Sequence, residues 1–391
     1  VSLDDLREKE YQTALEVNAL RRAAFAPDAP SGLLERLVST ERQLRELSRE
    51  REELEVVDTS GRELRGERST GLVATVKLGL TEVPTAVYQF LDPREHPLVH
   101  CEIRCHDKPR RVRVISYIEG YSARAVDTVE VVPTGTVKVT LQPALFADRI
   151  RDLTERTTAA LNVLVEDLDG QVEVHRTFPI GLLARTTVAM RVADELTGAT
   201  TDLSRYLGAF VTPNAPEIMA FLTAVAAHHP GHQLFGYQND EDDVTAQVRA
   251  AFDALGERAV TYVNSVFSFG YRRGTTAQRV RLPRQSLTDR QANCIDATVL
   301  MASLLEAMSL SPALVLLPGH ALLAWETWKR SGKWRFLETT LIGQATFEQA
   351  CAAGKERATL YRGKPGEQDD LDFRLWPLRH LRARDRIFPM E

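Results

Sequence analysis

Leucines spaced by three and four, then short alternating runs, then apolar helical stripes divide the chain into three stretches. In residues 1–66, Leu3, Leu6, Leu15 and Leu20 mark a first helix, which "APDAPSG" at 26–32 interrupts with two prolines and a glycine. Leu33, Leu37, Leu44, Leu47 and Leu54 mark a second helix, with Thr40 and Arg51 at the imperfect seam positions. The pattern predicts a helical hairpin or short coiled coil. A seam this short, with two polar positions, favours packing on a neighbouring domain or a partner chain over a self-sufficient dimer.

Residues 67–192 change period. "TGLVATVKLGL", "LVHCEIRCH", "RRVRVISYIEG", "DTVEVVP", "TVKVTLQP" and "QVEVHRTFPI" are short, β-branched and alternating, with Pro and Gly between them. They predict a small accessory β-sandwich with a helix near 145–160 inserted among its strands.

From 193 to 391 the pattern turns helical. Pro216 opens a helix carrying Ile218, Leu222 and Val225 on one face until "HHPGH" stops it. Another helix follows "NDEDD" (239–243), with Val244, Val248, Phe252 and Leu255 at helical spacing. A third element, "RAVTYVNSVFSFG", ends at Gly270, and "YRRGTTAQRVRLPRQSLTDRQ" reads as a polar approach loop. It leads into "RQANCIDATVLMASLLEA" (290–307), where Ile295, Val299, Ala302, Leu305 and Met308 trace a buried stripe that Leu300, Leu304 and Ala307 widen. Two strands follow in "SPALVLLPGHALLAWETW", broken at Pro-Gly, and a third in "KWRFLETTL".

Composition narrows the class. The 391 residues are 43% hydrophobic and 26% charged, in the range of globular domains. A net charge of −5 argues against general nucleic-acid binding, and four cysteines are too few for a disulfide framework, which favours the cytoplasm. No apolar run reaches the roughly 20 residues of a membrane span, and the charged opening "VSLDDLREKEYQTALEVNAL" is not a secretory signal. The sequence begins at Val1 rather than Met, which leaves room for a longer parent protein or a removed leader. Its Ala, Arg and Leu content looks bacterial.

Candidate chemistry starts at Cys294. Asn293 is placed as the N-cap of the long helix and Asp296 in its first turn, so Cys294 sits among unpaired backbone N–H groups. That positive helix end lowers a thiol pKa from about 8.5 and favours the nucleophilic thiolate. Local sequence alone leaves this open against a small buried hydrophobe. Downstream, His320 alternates with Leu322 and Ala324, and Glu338 with Trp334 and Phe336. A carboxylate on an aromatic face needs a partner. An antiparallel pairing with its turn near Lys329 sets His320 opposite Glu338; a turn centred on Ser331-Gly332 moves them apart.

The run "NCIDATVLMASLLEA…ALVLLPGHALLAW…WRFLETT", about residues 240–345, resembles the transglutaminase-like superfamily of the papain-like fold. The resemblance implies a nucleophile on a helix followed by strands bearing histidine and then an acid. Here these are Cys294, His320 and Glu338, with Gly319, Trp334 and Thr340 in supporting places. Glutamate replaces the commoner aspartate. Asn293 stands where a small residue is frequent, which leaves the oxyanion side open between the side chains of Gln291 and Gln285.

Other motifs carry less. In "HPLVHCEIRCH", Cys101 and Cys105 share one strand face, His100 and His106 the other, and C-x₂-C spacing is absent; packing outweighs zinc. His228, His229 and His232 suit a helix C-terminus, and the "NDEDD" acids suit the helix start that follows. "KPRRVRV" (108–114) reads as an exposed strand face, and Cys351 as packing.

The sequence thus predicts an α+β multidomain protein: helical hairpin (1–66), β-sandwich (67–192) and transglutaminase-like domain (193–391). Its expected activity is amide-bond cleavage in a protein or peptide by a Cys-His-Glu triad, without metal or cofactor. Transamidation, and a scaffold that has lost turnover, are the alternatives. The expected partners are that substrate and a protein bound through the N-terminal helices, with no nucleic acid or membrane.

Overall fold

A computed structural model describes residues 3–24, 32–54, 62–65, 71–133, 135–193, 200–263, 276–317, 319–362 and 373–390. The protein is mixed α+β, in two compact units. Val1–Glu55, Arg205–Phe267 and Val280–Glu391 make the first; Val56–Ser204 and Ser268–Arg279 make the second.

Helices α1 (Leu3–Ala24) and α2 (Leu33–Leu54) open the first unit. Their shared core is Val17, Leu20 and Leu37, with Leu33, Leu34 and Leu44 packed around it. The buried positions Leu6, Thr13, Val17 and Leu20 follow a heptad, so Leu15, one of the leucines that mark this helix, falls on the outer face and is 47% exposed. Two polar seam residues are satisfied locally, and the Arg51 side chain lies outside the described residues. Thr13 Oγ1 donates to the Lys9 carbonyl and Thr40 Oγ1 to that of Arg36.

The second unit is built of strands. These are β1 (Arg62–Arg65), β2 (Leu72–Leu78), β3 (Glu82–Val83), β4 (Val99–Cys105), β5 (Arg110–Ile118), β6 (Ala125–Val131), β7 (Thr136–Leu141), β8 (Thr157–Asp167), β9 (Val172–Leu182), β10 (Thr187–Ala193), β11 (Thr200–Asp202) and β13 (Thr276–Arg279). One sheet runs β1-β9-β8-β5-β6 with β3 beside β9, a second runs β2-β4-β7, and a third runs β11-β10-β13. The helix expected near 145–160 is only the short α3 (Ala147–Arg151), and the end of that stretch, from Thr157, already belongs to β8. Alanines and leucines in "TTAALNVLVED" suit a helix, yet Ala159, Leu161, Val163 and Val165 alternate into the core with period two. Cys101 and Cys105 are buried on β4, His106 is exposed and His100 half-buried.

The rest of the first unit holds α4 (Pro216–His228), α5 (Glu241–Glu257), β12 (Thr261–Tyr262), α6 (Pro283–Asp289), β14 (Gln291–Ala292), α7 (Cys294–Ala307), β15 (Pro312–Leu317), β16 (His320–Glu326), β17 (Trp334–Leu337), α8 (Phe347–Arg362), β18 (Arg374–Pro377) and α9 (Leu378–Ala383). Of residues 271–291, expected as a polar loop, 271–275 lie outside the described residues, while 276–291 carry β13, α6 and the start of β14, which pairs in parallel with β12. Of "RAVTYVNSVFSFG", residues 264–270 lie outside the described residues. Among the three histidines of "HHPGH", His228 meets Glu257 at 2.7 Å and His229 meets Asp243 at 3.2 Å, while Asp240 caps α5 through the Asp243 N–H.

The central sheet has the antiparallel order β17-β16-β15-β18. Every residue of β16 is buried, as expected of a strand covered on both faces. One face presents Ala313, Val315, Leu317, Leu322, Ala324 and Phe336 to Ala358 and Tyr361 of α8, with Val38 of α2 packed against them. No helix among the described residues is long and apolar enough to cross a membrane.

Candidate active site

Cys294 is the first residue of α7, and the sequence explains why the helix starts there. The Asn293 side chain accepts the Asp296 N–H at 2.8 Å, and the Asp296 carboxylate accepts the Asn293 N–H at 3.2 Å, closing a reciprocal cap. Asp296 is itself fixed by the Arg281 backbone N–H at 2.7 Å and guanidinium at 3.1 Å. Cys294 is half-buried. Its carbonyl accepts Thr298 Oγ1 at 2.8 Å, and Thr298 meets Thr339 Oγ1 at 3.2 Å, joining α7 to the segment after β17.

His320 opens β16, opposite Leu317 across a tight turn in which Gly319 has φ +68°, a left-handed conformation that favours glycine. The ring lies on the β16 face shared with Leu322 and Ala324. Its Nε2 is 2.8 Å from Glu338 Oε2, with both side chains sealed from solvent. An ionised carboxylate only accepts, so Nε2 carries the proton and donates. Nδ1 is then the nitrogen left for Cys294, which is near enough to act on the charge of the ring.

Glu338 is held at both oxygens. While Oε2 serves His320, Oε1 accepts the Thr340 N–H at 3.2 Å and Thr340 Oγ1 at 2.7 Å. Thr340 therefore does support the acid. Trp334, also assigned a supporting place, packs half-buried against the core beneath α8.

The expected strand register needs correcting. Leu323 pairs with Leu337 and Ala324 with Phe336, so the turn is centred one residue beyond Lys329, and Glu338, one position past the last pair, has Leu322 rather than His320 as its counterpart in that register. His320 is the diagonal neighbour on the same face, within range of a long side chain.

Charge balance favours an ion pair. Burial raises the Glu338 pKa, but His320, Arg357 and the Thr340 hydroxyl outweigh it and hold the carboxyl down at about 2. Burial and the Arg357 charge push the His320 ring down; Glu338 and Cys294 overcome both and leave it above its usual value. The other thiols are quiet. Burial pushes Cys101 up to about 12 and Cys351 up to about 11, and Cys105 Sγ donates to the Val131 carbonyl at 3.1 Å.

The two oxyanion candidates differ. Gln291 is exposed at the start of β14, where it pairs with Thr261. Gln285 spends its Oε1 on the Leu282 N–H at 3.3 Å, at the foot of α6, leaving Nε2 as its donor end. Sequence reasoning missed Arg357, whose charge acts on both His320 and Glu338, and Glu41, which binds it at 3.0 Å. A legible signal for the arginine was its place on the small-residue face of "ACAAGKERATLY". Among the described residues no group of His, Cys, Asp and Glu side chains is arranged to hold a metal ion. No protein-family model, no curated protein and no solved structure matches the chain.

Proposed function

We propose that the protein is a cysteine peptidase-like enzyme of the transglutaminase-like kind, cleaving amide bonds in a protein or peptide. The observation that carries this reading is the buried 2.8 Å bond from His320 Nε2 to Glu338, with Cys294 near enough to act on the charge of the ring. His320 Nδ1 takes the Cys294 proton, and Glu338 fixes the tautomer and stabilises the imidazolium. The thiolate sulfur attacks the carbonyl carbon, and the imidazolium returns a proton to the departing amine. The resulting thioester is hydrolysed by a water that His320 deprotonates. The first-turn N–H groups of α7, supplemented by Gln285 or Gln291, receive the oxyanion. The second unit, an accessory β-sandwich in this reading, and the N-terminal hairpin recruit substrate or control access.

The test is selective alkylation followed by product analysis. At pH 6, iodoacetamide labels Cys294 at least ~10²-fold faster than Cys101 or Cys351, which burial keeps protonated. Equal, slow labelling of all cysteines defeats the proposal and leaves the scaffold. Wild type and Cys294→Ala are then compared on a peptide library with and without a primary amine. Hydrolysed products support cleavage; amine-bearing products transfer the chemistry to transamidation.

A further inference from the structure

This inference rests on the reading of Cys294, His320 and Glu338 as an acyl-transfer site. It concerns α8. Ala350, Gly354, Arg357 and Tyr361 lie on successive turns of one buried face of that helix. The Ala350 carbonyl accepts the Glu338 N–H at 3.0 Å. At Gly354 the helix comes so close to β17 that a Cβ would lie 2.9 Å from the Leu337 and Glu338 nitrogens. One turn on, Arg357 is fully buried and donates to Glu41 Oε1 at 3.0 Å; Tyr361 donates to Glu41 Oε2 at 2.5 Å. Glu41 comes from α2, more than three hundred residues away in sequence.

We infer that Glu41 and Arg357 are a positioning pair for the catalytic site: by engaging the Arg357 guanidinium, Glu41 keeps the Glu338 carboxylate committed to His320 and ties the competent site to a docked N-terminal hairpin. A buried guanidinium needs a counter-charge, because leaving one partner of such a pair alone in the interior is costly. Without the Glu41 charge, Glu338 remains as a carboxylate in the field of Arg357. Arg357 then competes with His320 for it, and the imidazolium loses its counter-ion. The charged and titratable groups that act on the ring include Cys294 from α7, Glu338 from the end of β17 and Arg357 from α8. Asp296, also on α7, is turned to Arg281 and takes no part.

The test follows the His320 ring by NMR across pH in the full chain, assigned by comparison with His320→Gln. Glu41→Gln moves the His320 titration to lower pH by roughly one unit, the scale of one uncompensated charge nearby. Arg357→Met, which leaves Glu41 uncompensated, moves it to higher pH, and the double variant returns it close to wild type. A merely structural pair does not produce opposite shifts that cancel. Glu41→Asp keeps the charge but shortens the reach; it gives a smaller shift in the Glu41→Gln direction and serves if Glu41→Gln does not fold. An unmoved titration, or shifts of one sign, overturns the inference. Fast Cys294 alkylation with an unmoved titration removes this coupling alone. Slow alkylation with opposite shifts keeps the coupling and removes the acyl-transfer reading.

Discussion

His320 Nε2 and Glu338 Oε2 lie 2.8 Å apart although the strand ladder does not set these residues opposite each other. Their contact is diagonal, and the length of the glutamate closes it. Glu338 stands just past the end of β17, as the residue before a short 3₁₀ turn, where Thr340 holds its second oxygen. The acid is thus fixed from two sides by a segment that α7 and α8 both touch.

Glu338→Asp removes one methylene from a side chain that must span a diagonal. The alkylation rate of Cys294, and any peptide cleavage, should fall about 10²-fold, close to the loss in Glu338→Ala, because His320 loses its orienting partner. An aspartate variant retaining the wild-type rate would show that the reach of the glutamate is immaterial.

Much of this site was legible in the chain. Asn293, Cys294 and Asp296 carry a helix start in three local signals, and local signals survive folding. The strand bearing His320 was legible from its Pro-Gly break and apolar run. The register was not, since it depends on how residues 327–333 turn: Thr327 donates back to the Lys333 carbonyl and Arg330 adopts φ +59°. Strand β8 is missing from the strands read in the sequence, because alanine and leucine serve helix and buried strand equally and its neighbours β5 and β9 decide. The pairing of Arg357 with Glu41 is hidden for a different reason. Their charges look like solvated helix faces until the two helices are brought together.

Gly354 gives a packing prediction. The Leu337 and Glu338 backbone is fixed by the sheet and by the Ala350 carbonyl, so it has little freedom to retreat from an added methyl group. Gly354→Ala should therefore destabilise the protein by about 1–3 kcal/mol despite alanine's better helix propensity. It should also slow Cys294 alkylation, because the displaced segment carries Glu338. Denaturant unfolding and the alkylation rate are measured on the same preparation. A variant more stable than wild type would mean that α8 moves aside freely.

The buried acid–imidazole pair also sets a pH window for stability. The Glu338 pKa falls from the usual 4.5 to about 2, despite burial, so its contribution is complete above 4.5 and fades as pH drops toward 2. The His320 pKa rises above the usual 6.5, against burial and Arg357, so its contribution is complete below 6.5 and fades as pH climbs through the folded-state value. Together they stabilise most between about 4.5 and 6.5. Comparing wild type with His320→Gln/Glu338→Gln isolates the pair, because titrations elsewhere in the chain are common to both proteins. Thermal melting should show the Tm gap between them widest inside that window and narrowing on either side. A gap that stays constant across about pH 3 to 9 would mean that the pair carries no net charge interaction in the folded protein.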